Sequence, residues 1–499
     1  MYSGKIDILG VSLQITKKSD IRPVFMACGL TTALFALCML IPAFVDYFYQ
    51  GTSWIVFLES AGICFYFGLS MFFATKTNIK AISIKQAFLF TVLVWLMLVI
   101  AGSLPFYIYL FPNNYTNAFF EAMSGLSTTG ATVIVGLNDM TPGILLWRSM
   151  LNFIGGIGIV AVAVSFFPYF RVGGMQIFQM ESSENFGKIT PRVADMAKNI
   201  ALVYLVLFFA CSLCLKFAGM NWFDAINHAM PTIATGGFSN KDSSIGYYNN
   251  PLYEFILIVF MISGALPLTY YIRLFQKNRE KNDQDRQVVT FILVIAFFVI
   301  CSTIWLFLAK NINFTEALRK SSFNVTSIIT DTGFASDDYG LWGNFAITIF
   351  FILPFIGGCT GSTAGAIKIF RWQIFFGYLK ENIIHLFLPH KVIKMKYGQQ
   401  SYNADLLISV IIFIALYVVF FVICTFLVSA TGVDFLTSSS TVAASMANSG
   451  PGLGSIAGPS GNYLSLPLTA KWILSFAMLA GRLELLTILV LFMPEYWKS

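Results

Sequence analysis

Charge is scarce in this 499-residue chain. Asp, Glu, Lys and Arg together make up 11% of it, against roughly 25% in an ordinary soluble domain. That scarcity excludes a soluble or disordered protein and leaves no room for a nucleic-acid partner. Histidine is scarcer still: the three residues, His228, His385 and His390, are too scattered to form a metal set. The eight cysteines (Cys28, Cys38, Cys64, Cys211, Cys214, Cys301, Cys359 and Cys424) all fall in apolar stretches, where they act as small hydrophobes and not as extracellular disulfide partners. Even Cys211-Ser-Leu-Cys214 has no second ligand pair to accompany it. No His/Cys/Asp/Glu constellation has nucleophile or ligand spacing, so an enzyme finds no support and no covalently bound cofactor is expected. A short, positively charged signal-peptide start is also missing. Asp7, Lys17, Lys18 and Asp20 precede the first apolar run, so the first span is expected to be retained.

What the chain does have is apolar length. Hydrophobic residues make up 57%, with 51 Phe, and the mean hydropathy is +0.74. Runs able to cross a hydrocarbon core of roughly 30 Å lie near residues 24–46, 54–74, 87–111, 143–168, 200–218, 251–275, 288–309, 342–372, 404–430 and 467–493. Ten crossings predict a multi-pass, all-α membrane protein with both termini on one side. Most of the 31 Lys and Arg residues fall on that same side. They include Lys5, Lys17, Lys18 and Arg22, then Lys76, Lys80 and Lys85, then Arg171, Lys188, Arg192 and Lys198. The runs Arg273 to Arg286 and Lys368 to Lys396, with Lys498, complete the set. The positive-inside rule therefore puts both termini in the cytoplasm.

Four times, an external segment between two spans carries a semi-apolar stretch too short to cross, followed by a Gly/Thr/Ser cluster. The clusters are Ser127-Thr-Thr-Gly-Ala-Thr132, Ala234-Thr-Gly-Gly-Phe-Ser239, Thr330-Asp-Thr-Gly-Phe-Ala335 and Ala447-Asn-Ser-Gly-Pro-Gly452. With Gly130, Gly237, Gly333 and Gly450 equivalent, the steps are 107, 96 and 117 residues. The unit is span, re-entrant segment, span. It divides the chain into an accessory hairpin at 1–86 and pore repeats at 87–170, 171–287, 288–396 and 397–499. The stretches upstream of the clusters read as short helices that begin at Asn117-Ala-Phe, Asp224-Ala-Ile, Glu316-Ala-Leu and Asp434-Phe-Leu.

Non-helical backbone cannot face lipid; it survives only where protein buries it or a water-filled path satisfies it. Four such segments at matching positions are expected to meet around one axis, where their carbonyls replace the water around a desolvated cation. Glycine turns carbonyls inward and puts no Cβ in the lumen. Threonine and serine add hydroxyl oxygens, and the short helices aim their partly negative C-terminal ends at the axis. The candidate ion-binding residues are Thr128, Thr129 and Gly130; Thr235, Gly236 and Gly237; Asp331, Thr332 and Gly333; and Asn448, Ser449 and Gly450. A competing reading makes these ordinary external turns of a secondary transporter with broken helices.

At these residues the chain resembles the Trk/Ktr/HKT superfamily of potassium transporters, and the TrkH-type subunits of bacterial Trk systems most of all. The blocks that carry the likeness are Ser-Thr-Thr-Gly-Ala-Thr at 127–132, Gly-Gly-Phe-Ser at 236–239 and Gly-Gly-Cys-Thr-Gly-Ser-Thr-Ala-Gly at 357–365. Asn-Ser-Gly-Pro-Gly-Leu-Gly at 448–454 and Gly-Arg-Leu-Glu at 481–484 complete them. The resemblance implies a pseudo-tetrameric K⁺ pore in the bacterial inner membrane, commonly a homodimer, governed by a TrkA-like cytoplasmic ring that binds nucleotide. It implies K⁺ as the transported ion, held at Thr129, Gly130, Gly237, Gly333 and Gly450. Glycine at all four filter positions goes with K⁺ selectivity; serine at the first marks Na⁺-permeable relatives. Asp331 departs from its counterparts Thr128, Thr235 and Asn448. It either meets the entering ion, which bears on K⁺/Na⁺ discrimination, or points behind the filter.

The resemblance further implies an intramembrane gate where the eighth span is broken by Gly357-Gly358-Cys359-Thr360-Gly361-Ser362-Thr363-Ala364-Gly365. Such a glycine-rich run has poor helix propensity at mid-membrane; its alternative role is close helix packing. Phe153-Ile-Gly-Gly156, aligned with Phe355-Ile-Gly-Gly358, lacks the further glycines and reads as packing. Arg482, costly within a span, either faces the pore beneath the filter or is tied to carbonyls or an acid between repeats. Glu484 pairs elsewhere. Arg148 reads as a snorkelling or interface residue. Asp337, Asp338, Asp139 and Asp242 either concentrate cations at the mouth or are solvated loop charge.

Overall fold

The structure is a computed structural model and describes residues 6–8, 11–13, 20–78, 83–166, 189–274, 286–390, 396–397, 400–401 and 404–498. The expected cytoplasmic charges Lys5, Lys17, Lys18, Lys80, Arg171 and Lys188 lie outside the described residues. Two two-stranded hairpins, Ile6–Ile8 with Val11–Leu13 and Lys396–Tyr397 with Gln400–Ser401, are the strands among the described residues. All other described elements are helical.

The N-terminal hairpin is α1 (Arg22–Cys38) continuing through α2 (Leu40–Phe48), then α3 (Trp54–Ala74). It packs closely because Gly29 and Gly68 face each other's backbones. Asp46 joins it to the rest: its buried carboxylate accepts from Ser53 N (2.7 Å) and Gly143 N (2.8 Å). The first repeat follows with α4 (Ile84–Tyr109), the re-entrant α5 (Tyr115–Leu126) and α6 (Pro142–Phe166). The second comprises α7 (Ile189–Phe217), α8 (Trp222–Ala234), α9 (Pro251–Ala265) and α10 (Leu268–Leu274). In the third are α11 (Arg286–Lys310), α12 (Phe314–Ile329), α13 (Asn344–Ile352) and α14 (Ile369–Phe387). The fourth has α15 (Ala404–Ser429), α16 (Phe435–Ala447), α17 (Leu468–Arg482) and α18 (Leu485–Phe492).

Six described helices are long and apolar enough to cross a membrane, or eight if each bent pair counts as one span. The spans read from sequence at 251–275 and 467–493 are each bent. Between α9 and α10 the chain turns by 93°, because Pro267 removes a donor and holds Leu266 extended. Between α17 and α18 it turns by 111°, where Glu484 adopts a φ of 59° and its carboxylate meets Arg371 at 2.9 Å.

The re-entrant helices are present, but three of them start further upstream than the sequence suggests. Their N-caps are Asn114, Asn221 and Asn313, whose side chains accept from Asn117 N, Asp224 N and Thr315 N. Asp434 alone caps at the expected residue, accepting from Thr437 N. A cap satisfies a donor two or three residues onward, so in two of the four repeats the residue singled out from sequence is the one being capped.

Candidate functional site

Each re-entrant helix ends with the same backbone path. Thr128, Thr235, Asp331 and Asn448 all have φ between 51° and 59°, and two residues later Gly130, Gly237, Gly333 and Gly450 have φ of 86°, 67°, 83° and 85°. L-residues avoid this left-handed region, so its fourfold recurrence is a shared design. The four segments also touch in a closed cycle. A Cβ on Gly130 would meet Gly236 O at 2.5 Å, and one on Gly450 would meet Thr129 O at 2.6 Å. Gly237 abuts Thr332 O, and Gly333 abuts Ser449 O, closer still. Each glycine thus faces the carbonyl just before its neighbour's glycine, in the order first, second, third, fourth and back to first. The predicted convergence is met, and a cavity opens above the ring, lined by all four glycines.

Behind the ring, the re-entrant helices brace the glycine-bearing segments. Glu121 accepts from Val133 N (2.9 Å), Asn324 from Ser336 N (3.1 Å) and Ser440 from Leu453 N (2.8 Å); His228 Nε2 meets Ser239 Oγ at 2.9 Å. Sequence reasoning missed this set. Its signal was positional: Glu121, His228 and Asn324 all lie nine residues before their glycine, and Ser440 ten. Seams between repeats are stitched as well. The Tyr463 hydroxyl donates to Gly450 O (2.7 Å) while its amide donates to Thr132 O (2.8 Å). Gly246 N donates to Ala335 O (3.1 Å), and Asn448 Nδ2 to Thr129 Oγ1 (3.0 Å).

Arg148 overturns its sequence reading. It does not snorkel: it is 1% exposed, paired with Glu121 at 2.8 Å, and it donates to Ser239 O at 2.6 Å. Three of the four acidic residues of the mouth have partners. Asp242 accepts from Gly136 N and Leu137 N, Asp338 from Gly340 N, and Asp337 pairs with Lys320 at 3.1 Å.

The break in the eighth span is present as expected, a non-helical run from Ile356 to Lys368 between short α13 and α14. Its Gly357, Gly358 and Cys359 are buried, as are Ser362, Thr363 and Ala364, while Thr360, Gly361 and Gly365 are partly exposed. The run is tethered at several points. Cys359 N donates to Ala265 O (3.0 Å), Leu268 N to Gly361 O (3.0 Å) and Thr360 N to Gln287 Oε1 (3.0 Å). Thr363 Oγ1 reaches Ile233 O and Gly264 O, both at 3.0 Å, and Thr235 Oγ1 at 3.2 Å. Thr363 therefore joins this segment to the base of the second filter and to the bend after α9. Arg482 is tied to carbonyls, Thr363 O at 2.8 Å and Gly155 O at 3.2 Å, across two repeats. Asp331 is fully buried among the Gly365 backbone, Lys368 and Arg482, which favours the orientation behind the filter.

Of the basic residues expected on the cytoplasmic side, Lys368 is partly buried and Arg371 buried. The Lys368 ammonium donates to Ala364 O, and Arg371 pairs with Glu484 and lies 3.8 Å from the Phe413 ring centre. Gly155 and Gly156 are packing residues, set against Leu126 O and the Tyr204 hydroxyl.

Residues 55–499 match the TrkH family, described as cation transport proteins. The potassium uptake protein TrkI of Halomonas elongata is 38% identical over 415 residues, covering 83% of this chain and 84% of that protein. TrkH of Escherichia coli K12 is 36% identical over 483 residues, 96% of this chain and 99% of that one. The crystal structure of the potassium transporter TrkH from Vibrio parahaemolyticus superposes with a TM-score of 0.88 at 34% identity, covering 96% of this chain and 99% of that one.

Proposed function

The chain belongs to the TrkH family of cation transport proteins, and from that premise we propose that it takes up K⁺ across the bacterial inner membrane. The ion passes through the ring formed by Gly130, Gly237, Gly333 and Gly450, with the backbone carbonyls of the four segments serving as ligands. The observation that carries this reading is the closed cycle of four left-handed glycines, each against its neighbour's carbonyl. Carbonyls held at fixed separation stand in for a hydration shell at little cost to an ion of the right size.

The glycine-rich run 357–365 is the gate. Its tethers are single hydrogen bonds and one arginine, contacts that a modest conformational input can exchange. Arg482 beneath the filter both latches that run and adds a positive barrier to cations. A TrkA-like ring on the cytoplasmic side supplies the input, and two copies of the chain pair as a homodimer. Both termini lie in the cytoplasm. The Trk-system names of the relatives support a partner subunit, and the basic side of the sequence supports the placement of the termini; the homodimer rests on the family resemblance alone.

The test is flux of ⁸⁶Rb⁺ and ²²Na⁺ in vesicles containing the purified chain. Gly130→Ser should raise Na⁺ permeability relative to Rb⁺, and competing organic solutes should leave Rb⁺ uptake untouched. An unchanged ratio in Gly130→Ser defeats the filter; competition by an organic solute favours a broken-helix secondary transporter.

A further inference from the structure

One seam of the filter is closed by charge, and its residues stand outside the ring that meets the ion. Glu121 on α5 accepts from the Thr132 hydroxyl (3.0 Å) and Val133 N (2.9 Å), both on the first filter segment. Arg148 on α6 donates from Nε to Glu121 (2.8 Å) and from one fork nitrogen to Thr132 Oγ1 (3.2 Å). Its other fork nitrogen donates to Ser239 O (2.6 Å) on the second segment, and the guanidinium lies 4.2 Å from the Phe238 ring centre. Both residues of the pair are buried, Arg148 1% and Glu121 0% exposed. The two segments so joined are those of Gly130 and Gly237.

We propose that the Glu121–Arg148 pair positions the first and second filter segments relative to each other, making both residues determinants of K⁺ over Na⁺ selectivity. An arginine fork is planar and rigid, so its two ends fix a distance where a lysine ammonium fixes only a point. A neutral brace such as Asn324 or Ser440 holds one segment to its own helix; Arg148 holds two segments to each other. The pair lies beside the filter glycines, where selectivity depends on how far the opposing carbonyls can relax toward a smaller ion. Loosening this seam lets the first and second carbonyl sets close on Na⁺.

The inference rests on the filter reading above, and its test keeps the two apart. Full-length Arg148→Lys, the neutral pair Glu121→Gln/Arg148→Met, and Phe238→Leu are reconstituted in vesicles beside Gly130→Ser. Rb⁺/Na⁺ permeability ratio, absolute Rb⁺ flux and thermal stability are measured for each. Arg148→Lys keeps the charge opposite Glu121 but cannot span both segments; it should fold and lose about tenfold in the ratio, the worth of one hydrogen bond to a charged group. The neutral pair removes the buried charges together and should lose as much. Phe238→Leu leaves the fork in place and should lose less, about two- to threefold. A merely structural pair would lower stability and total flux while sparing the ratio. Any folded Arg148 variant with an unchanged ratio overturns the proposal, as does failure of all three to assemble, which would make the pair a folding element. If Gly130→Ser also leaves the ratio unchanged, the filter reading itself has failed.

Discussion

At the scale of single residues, the four filter glycines are equivalent in conformation but not in space. All have the left-handed φ that costs an L-residue roughly 1–2 kcal/mol. A new Cβ at Gly130 or Gly450 would sit 2.5 or 2.6 Å from a carbonyl, whereas at Gly237 or Gly333 it would meet Thr332 O or Ser449 O closer still. Serine should therefore be tolerated best at 130 and 450, where the neighbouring carbonyl must move least, by about half an ångström, to give a folded protein with altered selectivity. At 237 and 333 it should abolish assembly. Yield of monodisperse protein and Rb⁺ uptake for the four single Ser variants give the order; equal behaviour at all four, or the reverse order, refutes it. Arg148 does not snorkel because its partner is Glu121, 27 residues earlier on another helix, which one sequence cannot show. An arginine near a span end has the same local surroundings whether it reaches outward or inward.

Among the elements, the re-entrant helices and the glycine-rich break were legible because both are local. An apolar stretch too short to span, followed by glycine, has few other solutions in a bilayer. The caps were displaced because Asn114, Asn221 and Asn313 sit ahead of the apolar pattern that marked each helix. Neither bend was foreseen. Pro267 was visible, but its effect depends on the glycine-rich run packing into the gap through Leu268 N and Gly361 O. Glu484 turns the chain toward Arg371, a residue 113 positions away. The tethers define what opening must break. Thr363→Val removes the hydroxyl contacts to Ile233 O and Gly264 O and keeps the side-chain volume close. Each such bond contributes about 0.5–1.5 kcal/mol. The variant should raise basal Rb⁺ flux by about two- to tenfold at an unchanged Rb⁺/Na⁺ ratio. Arg482→Ala, which frees Thr363 O and Gly155 O, should raise it too. Unaltered flux in both variants sinks the gate assignment.

For the molecule as a whole, the apolar core divides by position along the chain. One cluster runs from the N-terminal hairpin through α5 and α6 and takes in α15 to α18; others centre on α7 to α9 and on α11 to α14. The glycine ring is where these blocks meet, so an ion bound there would touch four segments drawn from three packing units, the first and fourth sharing one. A ligand that binds only the assembled state stabilises it by RT ln(1 + [L]/Kd), about 2.7 kcal/mol at a hundredfold excess over Kd. Thermal unfolding of the detergent-solubilised chain should therefore shift upward by a few degrees in K⁺ or Rb⁺ relative to Na⁺ or choline at equal ionic strength. Gly130→Ser should shrink the difference between K⁺ and Na⁺, while Thr363→Val, which touches the gate and leaves the ring intact, should keep it. Equal midpoints in K⁺ and choline for the unmodified chain would mean that the ring holds no ion, and four segments meeting at one axis would then serve packing alone.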